Sequence, residues 1–168
     1  LVDIYNVLEN FFNATSLLDL PHTIIDTFNP HQAELISIFT AFFSDFSLPQ
    51  TTYLVHSDIH PHNILFPPNQ LPKLVDVDSI SYGFPSISLG FGAFKLYRQS
   101  MVFDSTISNQ LPYTDFLHSI SSEYSPSTLI NGAYFEIFRR IAIILKPYLS
   151  GSPSPWINVL PIQLSSLL

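Results

Sequence analysis

Between residues 51 and 78 the chain abandons the helical spacing of apolar side chains that governs both of its flanks. Thr51-Thr52-Tyr53-Leu54-Val55 is β-branched and aromatic, Ile64-Leu65-Phe66 is a second apolar run, and Lys73-Leu74-Val75-Asp76-Val77 is a third. Each is too short for a helix and has the composition of a short strand, the first of them a buried one. Pro67-Pro68-Asn69-Gln70-Leu71-Pro72 joins the second run to the third as a turn-rich hairpin connection. A chain with this middle is not an all-helical bundle. It must place helices on either side of a small β-element, which is a mostly helical α+β arrangement.

The flanks carry the helical signal. Leu1, Ile4, Tyr5, Leu8, Phe11 and Phe12 recur at helical spacing, and a loop follows around Asp19-Leu20-Pro21-His22. Asn29 as N-cap, Pro30 at the first helical position and Gln32 at the third then predict a second helix. Its stripe is Leu35, Ile36, Phe39, Phe42, Phe43 and Phe46, and Pro49 closes it. Beyond the β-element a helix is predicted over Ile87 to Met101. Ser125-Pro126 opens a long one through Leu145, with Pro147 as its stop. Arg139, Arg140 and Lys146 lie towards its C-terminal end, where cations suit the helix dipole. Pro153, Pro155 and Pro161 limit the tail to short helical turns.

Composition narrows the classes. An apolar share of 46% over 168 residues supports the core of one domain, and charged residues at 11% are the reverse of what a disordered chain shows. Six Lys and Arg against 13 Asp and Glu, without a basic cluster, argue against nucleic acid as a partner. The longest unbroken apolar run, Ile141 to Leu145, falls far below the roughly 20 residues of a membrane span. Leu1-Val2-Asp3 lacks the basic start of a secretory signal, and the absence of Cys excludes disulfides and thiolate metal sites. The cytoplasm is the expected location. So few charges, with a first residue other than Met, lead us to expect that a covering segment is missing from this chain.

The chemistry concentrates in His56-Ser57-Asp58-Ile59-His60-Pro61-His62-Asn63, which holds three His, one Asp and one Asn between two strand-like runs. Strand ends give loops a rigid platform on which polar side chains can be aimed. Asp76 and Asp78 follow, and strand alternation places both carboxylates on one face. Asp76 lies within an apolar run, where an unpaired carboxylate is costly, so it calls for a partner such as a cation. Asp78 reads equally as a solvated or helix-capping residue.

His56-x-Asp58-x-x-x-x-Asn63, an apolar run and then Leu74-Val75-Asp76 together resemble the catalytic core of aminoglycoside phosphotransferases and choline kinases, which share the protein-kinase-like fold. His60-Pro61-His62-Asn63-Ile64-Leu65 and Val75-Asp76-Val77-Asp78 look more like these small-molecule kinases than like protein kinases. The resemblance covers Tyr53 to Leu96 closely and the flanking helices by arrangement. It implies that residues 1–168 form one C-terminal lobe of an ATP-dependent phosphotransferase acting on a hydroxyl of a small molecule. By the same resemblance Asp58 is the catalytic base, His56 braces the loop, and Asn63 and Asp76 hold Mg²⁺ against the phosphates of ATP. Asp78 is a second metal or structural carboxylate, and His60 and His62 serve loop packing and hydrogen bonding.

Two departures accompany the likeness. Relatives show an acidic residue where Phe84 stands, and another, supporting the catalytic loop, where Ser88 stands. No Gly and no Lys precede Asp58, so the N-terminal nucleotide-clamping lobe is missing, or a partner covers that face. The alternative reading is a pseudokinase-like or structural lobe that binds a partner without catalysis. Two rivals are weaker. A calcineurin-like metallophosphoesterase lacks its downstream Gly-Asp and Asn-His pairs here, and a zinc site on His56, His60 and His62 is strained by Pro61.

Overall fold

The computed structural model describes residues 1–13, 20–103, 112–120 and 123–168. It is α+β and mostly helical, with two small antiparallel sheets. Two compact units divide the chain: Leu1–Leu48 with Ile137–Leu168, and Pro49–Glu136.

The first unit is helical. Helix α1 (Val2–Phe12) packs on α3 (Gln32–Asp45), and α2 (His22–Phe28) packs on α7 (Leu160–Ser165). The part of α6 (Pro126–Leu149) from Ile137 onward completes it. Leu8, Phe11, Phe12, Ile24, Phe28, Leu35 and Phe138 are fully buried. The aromatic rings touch in a chain: Phe11 to Phe28 at 4.9 Å, Phe12 to Phe39 at 5.2 Å and Phe42 to Phe138 at 5.2 Å between centroids. Burying each such ring stabilises by roughly 1.5–3 kcal/mol, with about 0.5–1.5 kcal/mol more for a favourable ring pair. Of the predicted stripes of α1 and α3, Leu8, Phe11, Phe12, Leu35, Phe39 and Phe42 become core, while Ile4, Tyr5, Ile36, Phe43 and Phe46 are half-buried and Leu1 is exposed.

The helix ends differ from expectation. Asn29 does not cap α3; it and Pro30 lie in a 3-10 turn, Asn29–His31, that runs on from α2. Asn29 is right-handed helical (φ −57°, ψ −44°), so its side chain has no extended cap geometry, and Gln32 donates instead to the Phe12 carbonyl at 3.4 Å. Helix α2 itself starts at His22, where a loop is expected from the sequence. Pro147 does not stop α6 either. Proline keeps a helical φ but has no N–H to offer the Ile143 carbonyl, so the helix runs past it one hydrogen bond short. The helix ends two residues later, at Leu149; beyond it Gly151 takes φ 76° and Ser152 N–H bonds back to the Pro147 carbonyl at 2.9 Å.

The second unit carries the strands. β1 (Tyr53–His56) pairs antiparallel with β4 (Ile80–Gly83), and β2 (Ile64–Leu65) with β3 (Lys73–Leu74). β4 has the alternation of a strand in Ile80-Ser81-Tyr82, a signal too short to stand out in the sequence. α4 (Pro85–Phe103), α5 (Tyr113–Ile120) and α6 up to Glu136 accompany the sheets. Gly90 and Gly132 let α4 and α6 approach backbone to backbone. A Cβ at Gly90 would sit 2.1 Å from the Leu129 carbonyl oxygen, and one at Gly132 2.3 Å from that of Ser86. Ser125 caps α6 as its sequence predicts, accepting from the Thr128 N–H at 3.2 Å.

The first strand is not the buried one expected. Leu54 is 66% exposed, and Phe66 and Tyr82 are 75% and 80% exposed. A two-stranded ribbon offers few side chains to a neighbour, and along β1 only Val55 and His56 turn inward. Among the described residues no helix is long and apolar enough to cross a membrane.

Candidate functional site

The polar loop hangs from the end of β1. His56, the last residue of that strand, is buried. Its Nδ1 lies 3.3 Å from the Asp58 N–H, so Nδ1 accepts, and Nε2 carries the proton that it donates to the Val75 carbonyl at 2.8 Å. One imidazole thus ties the start of the loop to the segment before Asp76. From α4, buried Ser88 donates its hydroxyl to the His56 carbonyl, which holds the same corner from the other side.

The loop then closes on itself. Pro61–Asn63 is a 3-10 turn, in which Asn63 N–H bonds the His60 carbonyl at 2.9 Å. Asn63 Nδ2 donates back to the Asp58 carbonyl at 3.0 Å, leaving Oδ1 as the remaining hard donor of its amide. The Asn63 carbonyl in turn accepts from the Val75 N–H at 3.0 Å. Val75 is therefore the meeting point of His56 and Asn63. Ser57 adds a third tie, donating its N–H and hydroxyl to the Ser79 carbonyl at 2.8 and 2.9 Å.

Asp58 is not bare. Lys95 Nζ lies 2.6 Å from Oδ1, and His60 Nε2 lies 3.3 Å from Oδ2. His60 Nδ1 accepts from the His62 N–H at 3.2 Å, so its proton sits on Nε2 and points at Asp58. Burial, followed by the nearby Lys95 charge, lowers the pKa of His60 below the usual histidine range, and the Asp58 carboxylate only partly opposes this. His60 is accordingly neutral at pH 7. His60 makes hydrogen bonds within the loop, as expected of it, and His62 joins them through its backbone N–H.

Asp76 departs from the sequence reading. β3 ends at Leu74, and Asp76 adopts a left-handed backbone, φ 64° and ψ 60°, before the 3-10 turn Val77–Ser79. The alternation argument thus fails, because Asp76 and Asp78 lie outside the strand, both exposed. Asp76 is not a buried carboxylate in search of a cation. Its Oδ2 accepts from the Ser79 hydroxyl at 2.8 Å. A left-handed non-glycine residue costs conformational energy and clusters at functional sites.

The donor set discriminates between metals. Both nitrogens of His56 and both of His60 are already in hydrogen bonds, so a zinc site on His56, His60 and His62 has at most one imidazole to offer. Among the described residues no group of three or more His, Cys, Asp or Glu side chains converges to hold a metal ion. Asn63 Oδ1 and the Asp76 carboxylate are a different set. They are hard oxygen donors on two segments joined at Val75.

Lys95 is the residue that sequence reasoning missed. It stands 37 residues from Asp58, on a helix read only for its apolar stripe. Its signal was scarcity: the chain has just six Lys and Arg, and a cation on a helix that also carries Phe91, Phe94 and Tyr97 needs a reason. Comparison with family models, with curated protein sequences and with solved structures finds no match for this chain.

Proposed function

We propose that the chain is the C-terminal lobe of an ATP-dependent phosphotransferase of the aminoglycoside and choline kinase type, with a small-molecule alcohol as acceptor. The observation that carries this reading is the double tie at Val75, which couples the loop bearing Asp58 and Asn63 to the segment bearing Asp76. The resemblance asks for that coupling, because base and metal ligands must act on one phosphoryl group.

In this reading the acceptor hydroxyl gives its proton to Asp58 as its oxygen bonds to the γ-phosphorus, and the β–γ bridging oxygen departs with ADP. Lys95 and His60 hold the Asp58 carboxylate in place, and His56 and Ser88 hold the loop. Asn63 and Asp76 would hold Mg²⁺, which when bound neutralises charge on the phosphates. Asp78, exposed in the adjoining turn, is an outer carboxylate of the same segment. The nucleotide clamp belongs to an N-terminal lobe outside this chain.

A second reading has its own observation. Leu54, Phe66, Leu71, Val77 and Tyr82 are large apolar side chains exposed on the strand-bearing unit, as a lobe built to be covered by a partner would show. One experiment separates the two. The complete protein, assayed for ADP release over a panel of hydroxylated acceptors, should lose about 10²–10⁴-fold in rate on Asp58→Asn, with its melting temperature kept. Unchanged transfer in a folded variant overturns the base assignment. No transfer by the wild-type protein with any acceptor favours the partner-binding reading.

A further inference from the structure

We propose that Gly92 is a positioning residue for Asp58, and that one face of α4 is the template on which the loop is set. For its kinetic consequences the inference rests on the phosphotransferase reading, and it names what fixes the base of that same site. His56, Asp58 and Ile59 each meet α4 at a different position.

Those positions are Ser88, Lys95 and Gly92 in turn. Along the helix they are spaced i, i+4 and i+7, so they share one face over roughly 10 Å of axis. Ser88 donates its hydroxyl to the His56 carbonyl, and Lys95 Nζ stands 2.6 Å from Asp58 Oδ1. Between them Gly92 is buried, and Ile59 fills the space that a side chain at position 92 would take. The loop is thus tied by a polar contact at each end of this face and seated by an apolar one in the middle. Ser57, the remaining residue of this stretch, is tied instead to the Ser79 carbonyl.

The seat has little tolerance. A Cβ at Gly92 would lie 2.9 Å from Ile59 Cγ2 and 3.0 Å from Ile59 Cβ, with the Ile59 carbonyl oxygen at 3.4 Å. Rotation about χ1 moves the methyl, but Cβ is fixed to the backbone, so relief requires the Ile59 backbone to lift away from the helix. Asp58 is the adjoining residue and would travel with it, while Lys95 stays on α4. Alanine is the better helix former, so the glycine is explained by the loop and not by the helix.

Kinetics on the complete protein, with ADP release as the readout, tests the template. Gly92→Ala should lower kcat about 10- to 100-fold, as an ångström of misplacement does. The KM values for ATP and acceptor should change by less than about twofold, because binding is not what the seat controls. Gly90→Ala is the matched control, the same substitution on the same helix but against the Leu129 backbone of α6 rather than the loop. Below its melting temperature it should keep kcat within about twofold. Ile59→Ala empties the seat from the loop side and should lower kcat about tenfold, which tests the inference even if Gly92→Ala fails to fold. Retained kcat in either folded variant, or equal losses in Gly92→Ala and Gly90→Ala, overturns the template and leaves the phosphotransferase reading intact. If the wild-type protein transfers to no acceptor, that reading falls and amide exchange decides. The Asp58 N–H, which the His56 ring accepts at 3.3 Å, should exchange at least about tenfold faster in Gly92→Ala and Ile59→Ala, relative to Leu117 and Leu129 in the core of the same unit. Unmoved exchange at Asp58 overturns the template.

Discussion

The helices of the first unit and the strands of the second place their large apolar side chains in opposite ways. In the first, Phe11, Phe12, Phe28 and Phe138 disappear into a continuous aromatic core. In the second, the large side chains of the strands remain outside, and the buried positions near the loop include His56 and Ser88. One unit is stabilised chiefly by burial. The other has an apolar core of its own around Ala93, Leu117 and Leu129, and around its loop it positions polar groups through hydrogen bonds while the large side chains of its strands stay exposed.

The largest expected effect tests that difference directly. Phe138→Ala removes a ring that contacts Phe39, Phe42 and Phe43 at 6.0, 5.2 and 5.4 Å between centroids. It should cost about 3–5 kcal/mol by denaturant unfolding, the range for an aromatic ring cut out of a core. Phe66→Ser, at a position 75% exposed, should move stability by less than about 0.5 kcal/mol. Similar costs at the two positions would break the contrast, and would mean that Phe66 is covered in solution.

Within the strand-bearing unit the weak point is a backbone contact. Alanine ordinarily exceeds glycine in a helix interior by about 0.8–1 kcal/mol. At Gly90 the sign should reverse, because the new Cβ would meet the Leu129 carbonyl oxygen at 2.1 Å, and backbone cannot swing aside as a flexible side chain would. Gly90→Ala should destabilise by about 1–3 kcal/mol, as overpacking does. A stabilised variant, measured by the same unfolding transition, would show that α4 and α6 are not held at this distance.

What the sequence revealed follows the same division. Helical periodicity carried α1, α3, α4 and α6, because a helix that buries one face must repeat that face. The strands were legible as type but not as environment: Thr51 to Val55 has a buried strand's composition, and Leu54 is exposed nonetheless. Capping failed at Asn29 and the stop failed at Pro147, since both depend on backbone angles fixed by neighbouring turns rather than by residue type. At the site, the spacing from His56 to Asn63 located the loop. The left-handed turn at Asp76 and the reach of Lys95 to Asp58 are long-range or conformational facts with no local pattern.

Ser88 gives the smallest and most pointed test, since it stands where the resemblance leads one to expect an acidic buttress for the loop. With a serine there the loop is still supported, because the buried Ser88 hydroxyl donates to the His56 carbonyl. Removing it in Ser88→Ala strands a buried acceptor, which should cost about 1–2 kcal/mol of stability. The same change should loosen the corner from which His56 reaches both the Asp58 N–H and the Val75 carbonyl. Amide exchange at Asp58 and Val75 should therefore quicken by more than at buried positions of the helical unit such as Leu8 and Leu35, which keep their core. Equal acceleration in both units would mean that Ser88 contributes only to global stability, and the hydrogen-bonded frame of the loop would then rest on His56, Asn63 and Ser57.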